Sequence, residues 1–182
     1  MDVKEFKLSG LKLITLKKFG DERGFFCERF KMDPFAKEFG LKGFVQDNFS
    51  RSTAKVLRGL HYQWDQPQGK LVTVTRGSIF DVAVDIRKNS PTYGQHVSVI
   101  LKDTEPQWFW IPAGFAHGFC VLGDQETDVM YKVDNYWNGK GESGIAWNDP
   151  TLKIDWPYMD PELSPKDAVN KSFKDYDSDP KF

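Results

Sequence analysis

Cysteine and histidine are scarce in this chain: 182 residues carry two of the first, Cys27 and Cys120, and three of the second. Two cysteines cannot staple a disulfide scaffold and read most simply as reduced and structural. The formal charge is −1, so there is no global basic field of the kind that nucleic-acid binders use. No apolar run approaches the length of a membrane span. The opening Met1-Asp2-Val3-Lys4-Glu5 lacks the apolar core of a signal peptide, and the expectation is a cytoplasmic chain with no membrane and no nucleic-acid partner. Also missing are repeats, linkers, a Ser-His-Asp elbow, a P-loop and a dinucleotide fingerprint.

What is present is aromatic and strand-like. Hydrophobic residues make up 40% and aromatics 15%, with 15 Phe and 6 Trp, which suits a folded core and excludes disorder. Leu11 to Leu16 alternates as a strand, Asp21-Glu22-Arg23-Gly24 reads as a turn, and Phe25 to Phe30 as a short strand. Asp33 as N-cap with Pro34 at the first position predicts a short helix that Gly40 stops. Strands follow at Phe44–Ser50, around Val56–Gln63, and at Leu71–Thr75, with Arg76-Gly77-Ser78 as a hairpin signal. In Ile79 to Arg87, Phe80, Val82, Val84 and Ile86 share one face and Asp81, Ala83 and Asp85 the other. Gln95–Leu101, Gln107–Ile111, Phe115–Leu122 and Thr127–Asn135 complete the strands. Near the end, Ser164, Pro165 and Asp167 resemble a capping box, and the residues from Ser172 onward read as a loosely packed polar tail. The pattern predicts one mainly β domain over residues 1–182, a sandwich or barrel, with a double-sheet jelly roll the natural candidate.

The chemistry concentrates in Val56-Leu57-Arg58-Gly59-Leu60-His61-Tyr62-Gln63 and Gln68-Gly69-Lys70-Leu71-Val72. Three cationic groups among apolar strand residues suit a pocket that takes an anion and moves protons, because buried cations are costly unless compensated; on this stretch alone, Arg58 and Lys70 on solvent faces with a structural histidine is an equal reading. Strict alternation puts Arg58 and His61 on opposite faces, so Gly59 is read as a bulge that re-aims them. His117 shares a face with Phe115 and Phe119 and points inward, while His96 is given no role. Tyr131 shares a face with Val129 and Val133; alone it reads equally as a core tyrosine, and Asp167 equally as a helix cap. Two histidines on a barrel invite a metal. Catalytic sites of that kind need three or four ligands, and no His-x-His occurs, so none is expected. Spacing alone reaches a β-barrel with a cationic, histidine-bearing pocket.

The order of the segments carries the reading further. Phe44-Val45-Gln46-Asp47-Asn48, Arg58-Gly59-Leu60-His61 and Gln68-Gly69-Lys70-Leu71-Val72 are followed by Phe80 to Arg87 and Ile111 to Phe119. Trp147-Asn148-Asp149-Pro150 and Leu163-Ser164-Pro165-Lys166-Asp167 close the series. From about Leu11 to Asp167 the chain closely resembles the dTDP-4-dehydrorhamnose 3,5-epimerase family of cupin-like jelly rolls. The resemblance implies a homodimer that uses no metal or organic cofactor and inverts C3 and C5 of dTDP-4-dehydro-6-deoxy-D-glucose in dTDP-L-rhamnose biosynthesis. It implies that His61 is the base, Asp167 its carboxylate partner and Tyr131 the acid on the opposite face. Lys70 would stabilise the enolate oxygen and Arg58 would meet the anionic end. Further ligand contacts fall on Arg23, Glu28, Gln46, Asn48, His117, Glu142 and Lys166, with Arg23 and Glu28 on a segment that crosses to the partner subunit. The glycine-rich stretch Trp137-Asn138-Gly139-Lys140-Gly141-Glu142 matches less closely. Two other readings stay open: a related dTDP-4-keto-sugar epimerase acting at C3 or C5 alone, and a cupin that only binds a metal or sugar.

Overall fold

Alternation is cleanest in the segment Ser78–Asp85, and packing explains why. Val82 and Val84, with Ile86 just beyond, join one apolar cluster, whereas Ile79 and Ala83 join another on the opposite side. A computed structural model describes residues 1–182. In chain order the elements are β1 (Asp2–Glu5), β2 (Lys12–Thr15), β3 (Phe19–Asp21), β4 (Gly24–Phe26), α1 (Met32–Phe39), β5 (Gln46–Ser52) and β6 (Leu57–Gln63). They continue with β7 (Lys70–Arg76), β8 (Ser78–Asp85), β9 (His96–Lys102), β10 (Gln107–Ile111), β11 (Phe115–Val121), β12 (Thr127–Val133) and β13 (Glu142–Gly144). A 3-10 turn at Asp167–Val169 and α2 (Phe173–Ser178) follow.

Two antiparallel sheets face each other, in the orders β1-β2-β10-β7-β12-β5 and β13-β6-β11-β8-β9, and β3 pairs with β4 as a separate hairpin. The inner cluster between the sheets takes Val72, Val74, Phe109 and Val129 from the first and Ile79, Ala83, Leu101, Phe119 and Val121 from the second. Each sheet is covered on its outer side too. The C-terminal third lays Ile145, Leu152, Trp156, Phe173 and Tyr176 against Leu57, Leu60, Tyr62 and Val84. On the other flank, Phe35 of α1 packs with Trp108, Trp110, Ile14 and Leu71. Strands covered on both faces lose the polar half of their alternation, and every residue of β11 is buried. The mainly β jelly roll expected from the sequence is the fold observed.

Five local expectations are corrected. Helix α1 begins after Lys31, so Asp33 and Pro34 lie inside its first turn, where a carboxylate meets the positive end of the helix and a missing N–H costs nothing. Gly40 does end it, in the left-handed conformation. Arg76-Gly77-Ser78 is not a hairpin: β7 and β8 belong to different sheets, and the Gly77 N–H is taken by Asp103 at 2.8 Å where the chain crosses between them. A tight turn reads the same in sequence whether its strands pair or part. The tail is not loose. Ser172 and Asp175 form a reciprocal capping box, Phe173 and Tyr176 are buried, and the Tyr176 hydroxyl donates to the Ile86 carbonyl at 2.7 Å. Near Asp167, Ser164 Oγ accepts the Asp167 N–H at 3.1 Å, and the turn that follows is a single 3-10 turn in which the Asp167 carboxylate goes elsewhere. The strand at Phe25–Phe30 shrinks to β4, and β1, β3 and β13 were not foreseen.

The bulge in β6 is present. His61 faces His117 across the β6–β11 ladder and Arg58 faces Phe119, so Gly59 and Leu60 together stand against Gly118. The extra residue shifts the alternation, so that Leu57, Leu60 and Tyr62 pack outward while Arg58, His61 and Gln63 turn inward. Gly59 has φ 126°, and a Cβ there would lie 2.5 Å from the Gly118 Cα. Gly59→Ala is therefore expected to cost at least about 3 kcal/mol, from backbone strain plus overpacking. Urea unfolding measures it, and an unchanged midpoint would show that the bulge adapts.

Candidate active site

At one end of the barrel the two sheets part around a cavity of about 300 Å³, in the size range of small-molecule sites. Strand β5 sends Gln46, Asn48 and Ser50 into it, alternating with outward Asp47, Phe49 and Arg51. The bulged β6 supplies Arg58, His61 and Gln63, β7 opens with Lys70, β11 gives His117 and Phe119, and β12 gives Tyr131. Gln68, Trp137, Glu142 and the turn residues Ser164, Lys166 and Asp167 complete the wall. Only three of the sixteen lining residues are hydrophobic, so the cavity is built to make polar contacts.

His61 and Asp167, 106 residues apart in sequence, meet with Nε2 2.5 Å from Oδ1. Asp167 is almost wholly buried. Burial pushes its carboxyl up, but hydrogen bonds from His61, Ser164 and the Gly59 N–H outweigh that and hold it below the usual carboxylate range. Because the folded value is lowered, this carboxylate stabilises the fold above the ordinary carboxyl range, and that contribution is lost as pH falls through the lowered value. The arrangement fixes the imidazole ring against the carboxylate at the cavity wall.

Across the cavity, on the other sheet, stand Tyr131 and Lys70. Burial raises the Tyr131 hydroxyl, Glu142 adds to the rise and Arg58 opposes it, so the phenol stays protonated and can donate. Lys70 is brought down to about 8 by burial, against the pull of Glu142 and Asp81. Arg58 is oriented by Nε donating to Ser52 Oγ at 3.0 Å, leaving a guanidinium at the rim for an anion. Glu142 takes the Lys166 ammonium at 2.6 Å; burial raises its carboxyl, and Lys166 then draws it below the usual range. Gln46 donates to Asn48 at 2.8 Å and accepts the Trp137 N–H at 3.2 Å. His117 bonds a buried carboxylate, Asp81, at 2.9 Å.

Ten of the twelve residues singled out from the sequence thus line one cavity. Arg23 and Glu28 do not. Arg23 sits on the β3–β4 hairpin, 84% exposed and paired with Asp21, and Glu28 pairs with Lys31. Sequence reasoning missed Ser50, Gln63, Gln68, Phe119, Trp137 and Ser164 as parts of the wall. Inward alternation on β5 could have found Ser50, and carrying the bulge two residues further could have found Gln63; Trp137 lies on a loop and gave no signal. No three His, Cys, Asp or Glu side chains converge anywhere, and each cavity histidine is held by one carboxylate, so the donor set does not form a metal cage.

Residues 5–175 match the family model described as dTDP-4-dehydrorhamnose 3,5-epimerase. The dTDP-4-dehydrorhamnose 3,5-epimerase of Shigella flexneri is 49% identical over 179 residues, 97% of this chain and 98% of that one. That of Pseudomonas aeruginosa is 52% identical over 164 residues, 89% and 90% of the two chains. A crystal structure of dTDP-6-deoxy-D-glucose-3,5-epimerase from Legionella pneumophila, in complex with dTDP-4-keto-L-rhamnose, superimposes with a TM-score of 0.89. It is 51% identical and the match covers 94% of this chain and 92% of that one. The likeness takes in both sheets and every strand that lines the cavity, and the chain belongs to the dTDP-4-dehydrorhamnose 3,5-epimerase family.

Proposed function

We propose that this chain converts dTDP-4-dehydro-6-deoxy-D-glucose to dTDP-4-dehydro-L-rhamnose by inverting C3 and C5. The observation that carries the reading is the placement of a base and an acid on facing sheets of one cavity, the His61–Asp167 pair on one side and Tyr131 on the other. Both carbons flank the C4 ketone, so each loses its proton as soon as the enolate is stabilised. His61 takes the proton and becomes an imidazolium against Asp167. The negative charge moves to the C4 oxygen, where Lys70 is a half-buried ammonium without an ion-pair partner of its own. Tyr131 then returns a proton from the opposite face, and that change of face is the inversion. Arg58 binds the pyrophosphate, and Gln46, Asn48, His117, Glu142 and Lys166 hold the sugar nucleotide.

In D2O, deuterium is expected at both C3 and C5, with an L-lyxo product by NMR. Label and inversion at a single carbon would place the chain with one-carbon relatives, and no exchange by the folded protein would overturn the reading. His61→Ala should lower turnover by about 10²–10⁴-fold. Tyr131→Phe should impair product formation more than solvent exchange, since it removes the acid and spares the base.

Lys70 supplies a pH test. Its folded pKa lies below the ordinary lysine value, so the charged form costs stability at neutral pH, and that cost disappears as pH rises from about 8 through the unfolded value. The free-enzyme profile, kcat/KM, should accordingly fall as pH rises through about 8. Lys70→Met should lose about 10²–10³-fold in kcat yet gain about 1–3 kcal/mol in stability at pH 7. A destabilised Lys70→Met, or a flat profile, would remove Lys70 from this role.

The active form is read as a homodimer in which the β3–β4 hairpin and the residues just after it carry Arg23 and Glu28 into the partner's cavity. The support is the hairpin itself, which displays Phe19, Phe25 and Phe26 to solvent and sends nothing into its own cavity. Mixing Arg23→Ala and His61→Ala chains should restore activity that neither has alone, because a hybrid dimer rebuilds one intact site. Failure of the mixed sample to recover, with exchange of subunits verified, would sink the shared site.

A further inference from the structure

Trp137 stands in the cavity wall although no core packing holds it there. Its side chain is more than half exposed and joins none of the three apolar clusters. An indole on a surface loop normally samples several rotamers and backbone positions. Here the backbone beneath it is gripped by three glutamines of the wall. Gln68 Nε2 donates to the Asn135 carbonyl at 2.7 Å. Gln63 Nε2 donates to the Tyr136 carbonyl at 3.0 Å, and Gln63 Oε1 accepts the Asn138 N–H at 2.8 Å. Between those two bonds, Gln46 Oε1 accepts the Trp137 N–H at 3.2 Å. The indole itself lies over Gly139, where a Cβ would come within 2.8 Å of the ring.

Gln63 is the buried member of the three. It also donates to the Gln66 carbonyl at 2.5 Å, so its amide nitrogen and its oxygen are all committed to main-chain groups. An amide spent in this way is not offered to a ligand; what it holds is the segment 135–138. The reacting groups have other supports. His61, Lys70 and Tyr131 are carried by β6, β7 and β12, which are fixed by their own ladders. Loosening the segment would therefore add an ordering cost to binding and leave the proton transfers in place.

We propose that Gln63 is a positioning residue: with Gln46 and Gln68 it clamps residues 135–138 so that the Trp137 indole is held ready at the cavity, and it thereby sets how tightly the nucleotide is bound without touching it. The proposal rests on the epimerase reading and deepens it.

The test is Gln63→Met, which keeps the length of the side chain and removes its donors and acceptor. Binding of dTDP is measured by calorimetry beside steady-state turnover. The dTDP affinity is expected to fall about tenfold, with KM rising in step, and kcat to stay within about threefold of wild type. In a Trp137→Ala background the same substitution should move the affinity by no more than about twofold, because the group it acts through is gone. An unchanged affinity with a lower thermal midpoint would overturn the proposal, since Gln63 would then be a structural amide only. So would a tenfold loss that persists without Trp137, or a fall in kcat as large as the rise in KM. If Gln63→Met does not fold, Gln63→Glu carries the same measurements. Its carboxylate faces the Gln66 and Tyr136 carbonyl oxygens, so dTDP binding relative to wild type should be weak at pH 8 and recover as acid protonates the group and lets it donate; a ratio that does not change with pH would overturn the clamp. The binding measurement needs no turnover. A wild-type protein that binds dTDP and leaves the nucleotide sugar unchanged would overturn the proposed function, and the affinities would still decide whether Gln63 acts through Trp137.

Discussion

The site depends on a place where two strands touch without side chains. Gly59 and Gly118 bring β6 and β11 so close that a methyl group on either would meet the other's backbone. That contact accommodates the extra residue in β6. The extra residue brings Arg58 and His61 to the same side of the sheet, and the Gly59 N–H helps hold the Asp167 carboxylate that orients His61. A regular strand with the same residues would put either the guanidinium or the imidazole into the outer core, among Leu57, Leu60 and Tyr62. Neither could be solvated there.

Around this contact the molecule is layered so that its two sheets are covered on both sides. The aromatic residues of α1 and its neighbours lie on one flank and the C-terminal third on the other, leaving the inner space free to be core for most of its length and cavity at one end. A polar cavity with buried charges lowers stability. Here the surrounding apolar layers are extensive enough to tolerate a lysine without an ion-pair partner and a carboxylate satisfied at one oxygen.

Much of the barrel was legible because period-2 alternation is a local signal. β8 and β10 were read closely, and β8's two faces were assigned to the sides they occupy. What failed was whatever depended on partners far away in the chain. Phe173 and Tyr176 sit in a polar stretch and look solvated until the face they cover, formed about ninety residues earlier, is known; the Tyr176 hydroxyl reaches the Ile86 carbonyl across 90 residues. The turn at Gly77 could not reveal that its strands part. The site divides in the same way. The cationic stretch and the bulge could be read from neighbouring residues, but Asp167 as the partner of His61 came only from resemblance, since its local sequence explains it equally well as a cap. Arg23 and Glu28 came from resemblance too, and nothing in the single chain gathers them.

The makeup of the cavity wall has a consequence for anything designed to block it. With three apolar residues among sixteen, an inhibitor gains little by shedding hydrocarbon into the site, and its affinity must come from answering Arg58, Lys70 and the paired carboxylates with charges and hydrogen bonds of its own. A molecule that does so carries formal charge, and formal charge is what a lipid bilayer rejects. Potency and passage across a bilayer therefore pull in opposite directions for this site. The compromise is an uncharged planar ligand that gives up an ionic contact with Arg58 and keeps hydrogen bonds to both sheets.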